Sequence, residues 1–127
     1  MRIITLNVNG IRSAARKGLF EWLEKQQADF VCLQETRIQA AQRTDPIFSP
    51  ADYTVSYVDA QKPGYSGVAL FCRKKPDRII EGLGWTDFDS EGRWVQADYG
   101  RLSVVSLYLP SGSSREERQV FKYDLMD

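Results

Sequence analysis

The sequence contains no histidine. Within these residues that excludes an imidazole metal site and a histidine general base. Cysteine is scarce: Cys32 and Cys72 are the only two, and both sit inside apolar, strand-like runs. They are expected to be reduced core residues of a cytoplasmic protein, neither a disulfide framework nor a metal site. Net charge is missing as well. With 17 basic residues balancing 17 acidic ones, bulk charge offers no support for a nucleic-acid partner and leaves only a local basic patch open. No apolar run approaches the ~20 residues of a membrane span, so no membrane partner is expected. The opening stretch "MRIITLNVNG" turns polar too early for a signal peptide. Repeats and low-complexity tracts are absent. What remains is 127 residues with 43% apolar and 27% charged content, one soluble globular domain at most.

The chain reads as alternating elements. "RIITLNV" (2–8) is β-branched and apolar and suits a strand buried on both faces. Asn9-Gly10 ends it with a turn. Ser13 is placed to cap a helix running to about Gln27, with Ala15, Leu19, Trp22, Leu23 and Gln26 on one face. Gly18 weakens that helix. "ADFVCLQ" (28–34) is the next strand, and this β-α-β opening implies two parallel strands whose C-terminal ends share one edge. Residues 36–52 are polar, with Pro46 and Pro50, and read as a loop holding one helical turn. Strands are expected at 53–58, 67–73, 77–83, 93–99 and 101–109, the last two forming a hairpin about Gly100. Pro110 and Gly112 stop the last strand. Ser114 to Glu117 has the form of a capping box, which predicts a final helix. An α/β opening followed by antiparallel strands points to two packed sheets with helices outside.

Polar residues recur where these strands end. "DFVCLQETR" (29–37) carries a strand straight onto the carboxylate of Glu35. A lone glutamate after an apolar run is ordinary surface chemistry. Parallel pairing, however, brings Asn7 to the same edge, and the strand at 101–109 delivers Tyr108. An amide oxygen and a carboxylate are hard ligands that suit Mg²⁺, which often takes one or two protein carboxylates and fills its shell with water and phosphate. Taken singly, Asn7 also reads as a turn former and Tyr108 as a surface aromatic.

"TLNVNGIRSA", "FVCLQETR", "KPGYSGVALF", "SEGRW" and "SLYLPSG" stand in the order found in exonuclease III-type AP endonucleases of the endonuclease/exonuclease/phosphatase superfamily. The chain resembles that family over essentially its whole length. The resemblance implies the N-terminal half of a four-layer α/β sandwich, two mixed β-sheets flanked by helices. It implies a DNA-repair nuclease that cleaves phosphodiester bonds beside abasic sites and trims 3′ ends, with Mg²⁺ or Mn²⁺ as cofactor. The partner would be double-stranded DNA with abasic sites or 3′ ends, and no obligate protein partner is implied. By the same resemblance Glu35 and Asn7 fall on metal-site positions, and Asn7 and Tyr108 on catalytic ones. Asn9 falls where some members have aspartate, as a ligand or a group behind the ligands. Arg12, Lys17, Gly64 and Tyr65 match DNA-contacting positions. Arg93 matches a recurrent arginine whose role is divided between DNA contact and structure.

Members of the family are about twice this long. The "GD-x-N" and "SDH" segments of their second half, which carry the remaining acid–base groups, are not among these residues. Loss of a single such group costs about 10²–10⁴-fold. The expectation is therefore a single partial domain over 1–127 with its C-terminal half absent, inert and poorly folded by itself. Val31, Leu33, Leu70, Val105 and Leu107 lie in strands expected to line the core between the sheets, their facing unassigned. A non-catalytic DNA-binding or regulatory half-domain, or a phosphodiesterase of the same superfamily with another substrate, are the alternatives.

Overall fold

The computed structural model describes residues 1–109. The predicted stop at Pro110 and Gly112 and the helix from Ser114 lie outside the described residues. Among the described residues seven strands form two sheets: β1 (Ile3–Asn7), β2 (Phe30–Gln34), β3 (Thr54–Val58), β4 (Val68–Cys72), β5 (Arg78–Glu81), β6 (Trp94–Tyr99) and β7 (Leu102–Leu107). The first sheet has the order β1-β2-β4-β3 and the second β5-β6-β7. β1 and β2 are parallel, as the β-α-β reading requires, with Asn7 opposite Gln34. β4 runs antiparallel to both β2 and β3.

Among the described residues the first sheet is mixed and the second is antiparallel. The connections of the second sheet explain its pattern. β6 and β7 are joined through the turn at Gly100, and a tight turn can join antiparallel neighbours only.

The expected helix over 13–27 is two helices. α1 (Ile11–Arg16) starts at Gly10 and receives no side-chain cap, so Ser13 is not its N-cap. α2 (Leu19–Gln26) starts at Gly18, whose φ of +96° breaks the helical path. Glycine adopts that left-handed backbone without steric cost. The buried face of α2 is Leu19, Phe20 and Leu23, while Trp22 is 46% exposed. Residues 36–52 hold two short 3-10 turns, at Ala40–Gln42 and Pro46–Phe48. Ile38 and Phe48 plug this loop into the core. A short helix α3 (Thr86–Asp89) precedes β6.

Alternation along the strands separates two cores. Val31, Leu33, Ala69 and Phe71 of β2 and β4 face Ile11, Leu19, Phe20 and Leu23 of the helices. Phe30, Cys32, Val68, Leu70 and Cys72 face the second sheet, where they meet Val95, Ala97 and Val104. Side chains of a strand point alternately to opposite faces, so β2 is buried on both. The structure assigns the facing left open by the sequence: Leu70 lies between the sheets, Val31 and Leu33 face the helices, Val105 is half-buried and Leu107 is exposed. β1 departs further from expectation. It is the edge of its sheet among the described residues, and Ile3 and Leu6 are 50% and 37% exposed. Helix layer, first sheet and second sheet thus stack in that order, and the C-terminal ends of β1 and β2 open at one end of the stack.

Candidate active site

The ladder between β1 and β2 does not stop at Asn7. Val8 donates to the carbonyl of Gln34, Gly10 to that of Glu35 at 2.7 Å, and Ile11 to that of Thr36 at 2.9 Å. On the other side, Thr36 donates to the carbonyl of Gly67 at 3.1 Å and Arg37 to that of Ser66 at 2.8 Å. Glu35 is therefore held between the entrance to α1 and the loop before β4. Its φ is +54°, and Asn9, Arg37 and Ser66 also have positive φ, between 47° and 51°. Such backbones cost about 1–3 kcal/mol each and persist where surrounding structure enforces them. Here the enforcing contacts are the backbone hydrogen bonds just named. That four strained, non-glycine residues meet at one edge marks it as a site.

The Glu35 carboxylate has two partners. Tyr108, just past the end of β7, donates its hydroxyl to Oε1 in a short hydrogen bond. Arg37 holds Oε2 at 3.3 Å, with the carboxylate side chain 18% exposed. Burial, then the hydrogen bond to Glu35, pushes the Tyr108 phenol above its ordinary range. It is thus kept as a neutral hydrogen-bond donor. Asn7 lies at the end of β1, exposed, and its amide oxygen accepts from the Asn9 N–H at 3.0 Å.

Behind Tyr108 lies Arg93, 2% exposed. Its guanidinium donates to Glu91 Oε1 at 2.8 Å, to the Tyr65 hydroxyl at 2.9 Å and to the Tyr108 carbonyl at 3.2 Å. It also lies 5.0 Å from the centre of the Tyr108 ring and 5.8 Å from that of Tyr65. Arg93 is committed to these groups, which favours the structural of its two expected roles. Tyr65 is tied into the same cluster, and Lys62 sits 5.3 Å from the centre of its ring. Gly64, beside it, is exposed with φ +70°. Arg12 on α1 and Lys17 at its C-terminus are exposed. Lys17 shares a groove with Asn7, Asn9, Ser13 and Trp22.

The structure therefore brings Glu35 and Tyr108 into contact, places Asn7 and Asn9 beside them at the strand ends, and links Tyr65 and Arg93 to Tyr108. Arg12, Lys17 and Gly64 stand on the surface around this centre. Residues left unassigned by sequence reasoning are Arg37, Glu91, Thr36, Ser66 and Lys62. All five fall within the segments "FVCLQETR", "KPGYSGVALF" and "SEGRW". Their roles depend on pairings across the sheets, and nothing in local spacing reports those.

Among the described residues no group of three or more His, Cys, Asp or Glu side chains is gathered for a metal. The donors present are one carboxylate, Glu35, and one amide oxygen, Asn7. Hard oxygen donors in this number fit Mg²⁺ or Mn²⁺, which retain water and share phosphate oxygens.

The described residues thus form a two-sheet α/β sandwich with a carboxylate, an amide and a phenol gathered at its strand ends. The chain belongs to the endonuclease/exonuclease/phosphatase family, whose profile matches residues 4–126. It is similar to the exodeoxyribonuclease of Bacillus subtilis, 39% identical over 119 residues, covering 93% of this chain and 46% of that protein. It is also similar to the DNA-(apurinic or apyrimidinic site) endonuclease of Dictyostelium discoideum, 34% identical over 91% of this chain and 32% of that one. Among solved structures, the catalytic domain of Xenopus laevis APE2 superposes with a TM-score of 0.82 at 31% identity, covering 99% of this chain and 52% of that one. The chain thus spans about half, or less, of the length of these relatives. The two-sheet α/β fold expected from the sequence is confirmed by that superposition.

Proposed function

We propose that this chain supplies the metal-binding half of a DNA-repair nuclease. Its reaction is hydrolysis of phosphodiester bonds at abasic sites and trimming of 3′ ends. Two features support the reading: the relatives carry the names exodeoxyribonuclease and apurinic or apyrimidinic site endonuclease, and the strained Glu35 is joined to Tyr108. The second observation carries the proposal, because a partly buried phenol and a carboxylate from different sheets meet at an edge where backbone strain accumulates.

Glu35 and Asn7 would hold Mg²⁺ or Mn²⁺, which would supply Lewis-acid polarisation of the phosphate. Tyr108 stays protonated and can turn its hydroxyl from Glu35 to a phosphate oxygen, stabilising charge that develops there. Arg37 keeps the free side of the Glu35 carboxylate oriented. Arg12, Lys17, Gly64 and Tyr65 would contact the DNA backbone, which positions a duplex without reading its sequence. That suits an enzyme directed at a lesion. The remaining acid–base groups would come from sequence outside residues 1–127, as the twofold length of the relatives suggests. A cytoplasmic location accords with two buried free thiols.

The test is Glu35→Gln in the full-length protein. Incision of an abasic-site duplex at saturating Mg²⁺ is expected to fall on the order of 10²-fold, the loss typical of one electrostatic group at a reacting centre. The circular dichroism spectrum should not change. Incision at the parental rate would overturn the assignment.

A further inference from the structure

Thr36 is the residue after Glu35, and it poses a problem. It is completely buried, yet its hydroxyl has no hydrogen-bond partner. A buried polar group left unpaired is destabilising and calls for an explanation. The space around it is tight. A Cβ at position 67 would lie 2.3 Å from Thr36 Oγ1, so only glycine leaves room for this side chain. Gly67 has φ +88°, a backbone that suits glycine in any case. The threonine side chain thus fills a slot whose floor is the Gly67 backbone.

The backbone of Thr36 is gripped from both sides. Its carbonyl accepts from Ile11 and its N–H donates to Gly67. The flanking Glu35 and Arg37 both have positive φ. Thr36 is thus the one residue between two left-handed ones, and its side chain is what the slot at Gly67 holds. A β-branched side chain has few χ1 choices, so once seated in a slot it fixes its own backbone firmly.

We propose that Thr36 is a positioning residue for Glu35. By shape, not by its hydroxyl, it locks the strained turn that presents the carboxylate at the strand end. The proposal rests on the reading of Glu35 as a metal carboxylate and adds what holds it in place. Shape is the operative property because the hydroxyl has no partner and valine is nearly the same size.

The test compares Thr36→Ala and Thr36→Val in the full-length protein, with Glu35→Gln as reference. Amide hydrogen exchange is followed at residues 35–37 in the metal-free protein, and Mn²⁺ affinity is measured by electron paramagnetic resonance. Thr36→Ala is expected to speed exchange at these amides but not at β4, and to weaken Mn²⁺ binding about 10-fold, as for other groups that orient ligands. Thr36→Val is expected to keep protection and affinity near parental values and to raise the melting temperature. Parental exchange and Mn²⁺ affinity in Thr36→Ala would overturn the lock. Faster exchange with unchanged affinity would overturn its role toward Glu35. A Thr36→Val variant as impaired as Thr36→Ala would show that the hydroxyl is what matters. Parental Mn²⁺ affinity in Glu35→Gln would instead overturn the metal reading, and the exchange arm would still judge the lock.

Discussion

Replacing Arg93 by methionine decides between structural support and DNA contact. Methionine keeps much of the apolar stem and removes the guanidinium. The structure allows the cost to be estimated bond by bond. The hydrogen bonds to the Tyr65 hydroxyl and the Tyr108 carbonyl, 2.9 Å and 3.2 Å long, are made by a charged donor in a buried place. At about 1.5 kcal/mol each, the low end for such bonds, they account for about 3 kcal/mol. The pair with Glu91 adds less, because that side chain is 36% exposed and water screens it; about 0.5 kcal/mol is reasonable. Against this stands the relief of no longer burying a guanidinium, on the order of 1 kcal/mol or more. The net loss is about 2–3 kcal/mol. With a urea dependence of about 2–3 kcal/mol/M, the unfolding midpoint falls by roughly 1 M. Single-turnover incision should slow as well, since the Tyr108 backbone and ring both lose their anchor, while binding of an abasic duplex changes little. Parental stability together with a weakened, less salt-dependent DNA affinity would refute this reasoning and return Arg93 to the phosphate backbone.

Tyr108→Phe should lower the single-turnover rate more than it weakens DNA binding, because the hydroxyl is the group that meets Glu35 and only the ring would remain to pack. An unchanged rate would reduce Tyr108 to packing. Cys32 should resist alkylation at pH 8 in the folded protein and react on unfolding, since burial, then the neighbouring Cys72, raises its thiol from 9.0 to about 11. The unfolded thiol ionises first, so this site's contribution to stability is whole below about pH 9 and is lost as pH rises toward 11. Denaturation midpoints at pH 8 and 10.5 would show the decline, and a Cys32→Ala variant should show less of it. The 127-residue chain by itself should show no metal-dependent incision and should bind a hydrophobic dye, because Ile3 and Leu6 of β1, an edge strand among the described residues, and Trp22 of α2 present apolar surface. A monomeric profile with a sharp melt would refute the second half, and incision of abasic DNA the first.

Much of the architecture was legible in the residues themselves. Continuous β-branched and apolar runs marked every strand to within two residues or so. The Gly100 turn marked the hairpin, and the β-α-β opening set β1 and β2 parallel, with Asn7 and Glu35 near one edge. These are local properties, governed by side-chain periodicity and by which residues tolerate a turn. Ordered motifs then pointed to a family that the profile match confirms. The break at Gly18 was less legible, because glycine weakens a helix without dictating that it stop. In the structure Gly18 takes a left-handed backbone that separates the two helices, and Ile11 and Leu19 of the respective helices are both seated in the core.

Tertiary structure alone decided the rest. Val31 and Phe30 are equally apolar neighbours, and which faces the helices depends on strand register, a long-range choice. β1 has the composition of a buried strand, yet its exposure follows from having one neighbour among the described strands. Arg93 reads as a basic residue in a polar stretch. Only the approach of β6 to the end of β7 and to the loop at Tyr65 turns it into a buried anchor. Glu35 is one of several glutamates until the backbone is forced to a positive φ and Tyr108, 73 positions along the chain, closes on its carboxylate. The types of groups at the site were thus determined by the sequence. Their contacts were decided by the packing of two sheets, because hydrogen bonds between residues far apart in the chain leave no trace in local spacing.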